Sequence, residues 1–183
     1  LYTTYRFNWT PFDNGLSLTF TGILSALVQG WLVRLVVPRV GERKAILIGL
    51  TTSTMAFALY GFTTAGWMMY AVMAIGGLGG LAGPAAQALI SRAVRSDEQG
   101  EVQGALASLM SLTGVVAPLA STMLFAHFTG PTTPVVLPGA PFFMAAALAV
   151  VSLWVCWRLF RRIPDVAAPA PAPVEEPEVS KAA

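Results

Sequence analysis

Between Lys44 and Arg92 the chain carries no Asp, Glu, Lys, Arg or His. Between Glu101 and Arg158 only His127 interrupts a second such run, and a third extends from Asn14 to Val33. A helix crosses a hydrocarbon core of roughly 30 Å with about 20 mostly apolar residues. The 47 residues from Ala45 to Ser91 would make a single helix of about 70 Å at a rise of roughly 1.5 Å per residue. That is more than twice the core thickness, so the run folds back on itself, and Gly61 to Gly66 supplies the turn. On the same count, 102–157 is another hairpin. The competing reading is a soluble all-helical core, but soluble domains carry about 25% charged residues and this chain carries 11%. Three charge-free runs of spanning length belong in lipid. The chain is read as an all-α, polytopic membrane protein.

Five spanning helices are expected, over 14–37, 45–63, 67–90, 102–126 and 140–160. Residues 1–13 are expected to form a short lead-in loop, with Phe7, Trp9 and Phe12 suited to an interface. Asp13 or Asn14 is expected to cap the first span, and Pro38 and Gly41 to close it. The 128–141 stretch, with four prolines, is expected to be irregular. The Ala-, Pro- and Glu-rich 163–183 tail has too little bulky apolar surface to fold and is expected to be disordered. Leu1 stands where an initiator Met would, and no signal-peptide pattern precedes an apolar stretch. The expectation is that residue 1 is not the biological start.

Orientation follows from the loops. Arg34, Arg39, Arg43, Lys44, Arg92, Arg95, Arg158, Arg161 and Arg162 fall on one side, and Arg6 and His127 on the other. The positive-inside rule makes the side rich in arginine cytoplasmic. The lead-in, the 61–66 turn and the 128–141 loop then face outward, and the tail ends in the cytosol.

Few groups with chemistry remain. The lone Cys156 has no intrachain partner, His127 has no Cys, Asp or Glu close in sequence, and no metal-ligand spacing exists. No enzyme, cofactor, metal or nucleic-acid partner is expected. Gly77-x-Gly79-x-x-Ala82 superficially matches a dinucleotide fingerprint, which needs a preceding strand and a later acid; a spanning helix offers neither. Gly76/Gly80 and Gly79/Gly83 read instead as close-packing pairs, with Pro84 favouring a kink. Ser25, Gln29, Gln87, Ser108 and Ser111 are uncharged polar residues at membrane depth. Ser25 and Gln29 share a helix face, as do Ser108 and Ser111. Two readings stay open for these five: hydrogen bonds between helices, and the lining of a substrate pathway. Gln29 and Gln87, long and both donor and acceptor, are the stronger candidates for substrate contact.

The segment Pro38-Arg39-Val40-Gly41-Glu42-Arg43-Lys44 resembles the basic loop between helices eight and nine of the major facilitator superfamily, usually G-x-x-x-D-R-x-G-x-R-R/K. Arg6-Phe7-Asn8-Trp9 with Gly15-Leu16-Ser17-Leu18 resembles the start of helix eight in its tetracycline-efflux branch. Gly83-Pro84-Ala85-Ala86-Gln87-Ala88-Leu89-Ile90-Ser91-Arg92, followed by Gln99-Gly100-Glu101-Val102-Gln103-Gly104, is similar to the end of helix ten and the next loop in that branch. The resemblance covers roughly 6–162.

It implies helices 8–12, the C-terminal half of a secondary transporter in a bacterial inner membrane, with a missing N-terminal half and the bilayer as partners. It further implies proton-coupled efflux of a drug-like small molecule, a tetracycline or another antibiotic. Arg39, Gly41, Arg43 and Lys44 would form the cytoplasmic gating loop. Two departures stand out. The family's first Gly falls on Arg34, and its Asp falls on Pro38, so the acid of the gating salt bridge is expected to be lacking. The acid expected on helix nine is replaced by Thr51-Thr52-Ser53-Thr54, so a coupling acid would lie in the missing half. A metabolite transporter of the same superfamily and a truncated, non-transporting scaffold remain the alternatives.

Overall fold

The computed structural model describes residues 1–95, 97–130, 133 and 135–163. Six helices make up the described chain: α1 Tyr2–Phe7, α2 Pro11–Val40, α3 Glu42–Phe62, α4 Gly66–Ala93, α5 Gln99–Thr129 and α6 Ala140–Arg162. The last five are long and apolar enough to cross a membrane, as the charge-free runs require. The tail assigned to 163–183 lies outside the described residues, apart from Ile163.

Three local expectations are corrected. The lead-in is not wholly a loop, because Tyr2–Phe7 is helical and Asn8 ends it in the left-handed region at φ 54°. The cap of α2 is Thr10, upstream of the expected Asp13 or Asn14. Thr10 Oγ1 accepts the Asp13 N–H at 3.3 Å, and Asp13 Oδ2 accepts the Thr10 N–H at 2.8 Å. This reciprocal capping box satisfies two donors that a helix start leaves open, and Pro11 follows at the first helical position, where no donor is needed. Pro38 lies inside the last turn of α2 instead of closing it. Gly41 closes it, with φ 83° and ψ 156°, a conformation that β-carbon sterics make rare for other residues.

Two spans contain irregular turns. A π segment at Val28–Leu32 interrupts α2, and a 3-10 turn at Leu78–Leu81 interrupts α4. The second has a cause in the sequence. Pro84 offers no N–H to the Gly80 carbonyl, and its ring crowds that carbonyl, so the turn before it tightens.

Packing follows membrane rules. Large apolar side chains such as Leu18, Trp31, Met110 and Trp154 face outward. The buried positions are mostly small: Ala45, Gly49, Ala56, Ala85, Ala140 and Ala146. Lipid tails are as apolar as leucine, so helices gain by close backbone approach rather than by hiding bulk. α3 is central, packed against α6, α4 and α2. A β-carbon on Gly49 would lie 2.7 Å from the Ala82 backbone nitrogen, and one on Gly76 would lie 3.1 Å from Ala56 Cβ. Gly79 sits hard against Ser53, whereas Gly83 faces open space. The close-packing role of this glycine run therefore rests on Gly76, Gly79 and Gly80. α5 packs mainly along α6, and none of its residues is buried.

The ends of the bundle differ in chemistry. At one end α1 folds over the 63–65 turn. The Tyr2 hydroxyl donates to Tyr60 O at 3.1 Å, Arg6 Nε donates to Thr63 O at 3.4 Å, and Gly139 abuts the Gly61 backbone. The other end gathers Glu42, Arg43, Arg92 and the close of α6.

Candidate functional site

A cavity of about 190 Å³ opens among α2, α3 and α4. Thr21 and Ser25 come from α2, Ser53 and Tyr60 from α3, and on the α4 wall Gly76, Gly77 and Gly80 follow Met73 and add no side chains. The space exists because a helical turn of glycines projects nothing into it. The 3-10 turn just past Gly77 keeps that wall close to α3. The hydroxyls differ in availability. Thr21 donates to Ser17 O at 2.9 Å within its own helix. Thr51, Thr52 and Thr54 likewise donate to Leu47, Ile48 and Leu50 carbonyls at 2.7, 3.0 and 2.7 Å. Among the described residues Ser25 and Ser53 make no such bond, so both can serve a guest.

The five expected pathway residues are not brought together. Ser25 lines the cavity. Gln29 lies one turn further on, past buried Val28, exposed within the π segment. Gln87 is exposed on α4, two residues after buried Ala85. Ser108 and Ser111 are exposed on α5, where Ser108 Oγ donates to Gly104 O at 2.9 Å. Ser53 and Tyr60 were not singled out by sequence. The available signal was the one serine within a run of threonines, at a helix crossing formed by a glycine stripe.

The basic loop forms the second candidate feature. Arg39 Nη1 donates to Leu35 O at 3.0 Å within α2, and Lys44 is exposed. Arg43 reaches across to α6: Nη1 donates to Ile163 O at 2.6 Å and to Phe160 O at 3.3 Å, with the guanidinium 5.4 Å from the Phe160 ring centroid. A cation at helix-terminal carbonyls meets the negative end of the helix dipole. Position 38 is a proline, and a different acid supplies an ion pair at this end. Glu42 Oε1 pairs with Arg92 Nη1 at 2.8 Å. The acid stands four residues after Pro38, across the reversal at Gly41.

A profile of the Major Facilitator Superfamily matches residues 1–183. Tetracycline resistance protein, class C, of Escherichia coli is 38% identical over 121 residues, covering 66% of this chain and 31% of that protein. Tetracycline resistance protein, class G, of Vibrio anguillarum is 35% identical over 130 residues, covering 71% and 33%. Hippocampus abundant transcript 1 protein of Homo sapiens is 28% identical over 176 aligned residues, covering 85% and 36%. The chain spans about a third of the length of these curated relatives. No solved structure matches it. Five apolar spans, a basic reversal at Gly41 and a profile match along the whole chain have one reading: the chain belongs to the major facilitator superfamily.

Proposed function

We propose that this chain is the C-terminal portion, helices 8–12, of a secondary active transporter that extrudes a drug-like small molecule, a tetracycline or similar antibiotic, in exchange for protons. It works in a bacterial inner membrane together with an N-terminal half. The observation that carries this reading is the likeness to two tetracycline resistance proteins, at 38% and 35% identity over 66% and 71% of the chain. Geometry agrees with it. Secondary transporters place their sites near the bilayer midplane between helices, and an uncharged hydroxyl cavity at membrane depth suits a polar, largely neutral guest. Ser25, Gln29, Gln87, Ser108 and Ser111 line the pathway of the assembled protein. The 39–44 loop closes its cytoplasmic side.

A proton-coupled exchanger needs a protonatable group in its pathway. The runs 14–33, 45–91 and 102–157 contain no Asp or Glu, so the coupling acid comes from the other half. The second reading is a metabolite transporter. It stays open because membership of the superfamily does not fix the substrate.

The test is uptake into inverted vesicles containing the complete transporter. The expected result is proton-driven tetracycline accumulation that a protonophore abolishes. No accumulation of tetracycline or of any cationic drug would sink the efflux reading and leave the metabolite transporter.

A further inference from the structure

Trp154, Trp157, Arg158 and Arg161 stand at i, i+3, i+4 and i+7 on α6, so they share one helix face. All four are exposed. The opposite face carries Cys156 and Phe160, packed against Ala45, Ile46 and Ala85. Along the exposed face the residues pair. The Arg158 guanidinium lies 5.2 Å from the Trp154 ring centroid, and Arg161 lies 3.8 Å from that of Trp157.

We propose that this face binds the headgroup of an anionic phospholipid, with Arg158 and Arg161 holding its phosphate and the two indoles lying along its glycerol and upper acyl region. Each guanidinium is held over an indole at the end of the span, and a guanidinium presents paired N–H donors that match phosphate oxygens. Among the described residues neither arginine has a carboxylate partner, so within them the two charges are uncompensated. The depth fits as well. The stripe occupies the last turns of a span ending at Arg162, where tryptophan is suited to the interface. Charge complementarity selects a lipid over a second copy of the chain, because two such stripes facing each other would oppose like charges.

The test places the complete transporter in bilayers mixing phosphatidylcholine with brominated phosphatidylglycerol, in a background where Trp9, Trp31, Trp67 and every tryptophan outside this chain are replaced by Phe. Fluorescence then reports only Trp154 and Trp157. The expected result is a binding ratio of about three- to tenfold for phosphatidylglycerol over phosphatidylcholine. Adding Arg158→Gln and Arg161→Gln should return it to near one with helix content unchanged. A ratio near one with both arginines present, or an unchanged ratio without them, would overturn the proposal. So would indoles that neither brominated lipid quenches, which would indicate a protein on this face. A second readout needs no tryptophan changes. The unaltered protein, extracted in mild detergent from an equimolar mixture, should retain an excess of phosphatidylglycerol. Equal retention of the two lipids would overturn the proposal as well.

Discussion

Glu42 and Arg92, fifty positions apart in sequence, meet at 2.8 Å where the α2–α3 reversal touches the end of α4. Next to Glu42, Arg43 holds the terminal carbonyls of α6. Two consecutive side chains at the start of α3 therefore tie down two other helix ends, and the Gly41 turn fixes their direction. Glu42 reaches a basic partner because α3 begins immediately after the reversal and its first turn faces α4.

The strength of that ion pair is predictable. The Arg92 side chain is 54% exposed and that of Glu42 is 21% exposed, so solvent screens the pair. Pairs of this kind contribute about 0.2–1 kcal/mol. A double-mutant cycle on Glu42→Gln and Arg92→Gln, read by thermal unfolding in detergent, should give a coupling in that range that shrinks at high salt. A coupling above roughly 3 kcal/mol, in the range for breaking a buried pair, would show that the site is desolvated in the assembled transporter.

The glycine run offers a sharper contrast. Gly49→Val should destabilise, because its first added carbon meets the Ala82 backbone at 2.7 Å. Overpacking of this kind costs about 1–3 kcal/mol. Gly83→Ala, with nothing within 4 Å, should be neutral or slightly stabilising, since alanine favours helix over glycine by roughly 1 kcal/mol. Folded yield after detergent extraction checks both. Equal losses in the two variants would contradict the crossing geometry.

Topology can be read from two single cysteines in a Cys156→Ser background. Thr64 is exposed in the turn between α3 and α4, and Lys44 is exposed at the basic end. Thr64→Cys should label from outside intact cells with an impermeant maleimide. Lys44→Cys should label only after permeabilisation. The reverse pattern would invert the orientation that the distribution of arginines supports.

Arg34 tests the same end from within a span. It is exposed on α2, about two turns before Gly41, and a charge at the bilayer centre would cost at least about 2.5 kcal/mol. Its long stem lets the guanidinium reach the headgroups. Arg34→Leu should therefore leave insertion and yield near normal. A collapse of folded protein would place Arg34 in a pairing made with the rest of the transporter.

The spans were legible because lipid penalises every uncompensated charge. The gaps between Lys44, Arg92, Glu101 and Arg158 thus mark them without any knowledge of packing. What stayed hidden depends on contacts distant in sequence. The π segment at Val28–Leu32 carries no residue that demands it. Glu42 offers no local sign that its partner is Arg92. Ser25 and Gln29 share a face on a regular helix, yet only Ser25 reaches the cavity, because that cavity is set by where the glycines of α4 lie against α3. The cap at Thr10 could have been read: Thr-Pro-x-Asp is a capping box with proline at the first helical position. The cap is Thr10 and not the acid, so α2 starts three residues before the expected position 14.

The cavity hydroxyls carry the last prediction. Ser25 and Ser53 face one space and are bonded to nothing within the described protein, whereas Ser108 is satisfied by Gly104 O. A hydrogen bond to a bound guest contributes roughly 0.5–1.5 kcal/mol, which corresponds to at most about a tenfold change in affinity. In the complete transporter, Ser25→Ala and Ser53→Ala should each raise the KM for extruded drug by up to about tenfold with surface expression unchanged. The double variant should exceed either one. Gln87→Ala, on exposed α4 surface outside this cavity, should weaken transport too, through the face that α4 presents to the N-terminal half. Ser108→Ala, at a pathway hydroxyl already satisfied by its own helix, should raise KM less than either cavity serine. If both cavity serines can be removed without any change in transport kinetics while Gln29→Ala and Gln87→Ala impair it, the pathway runs along the exposed faces of α2 and α4. The cavity would then be a packing defect left by glycine.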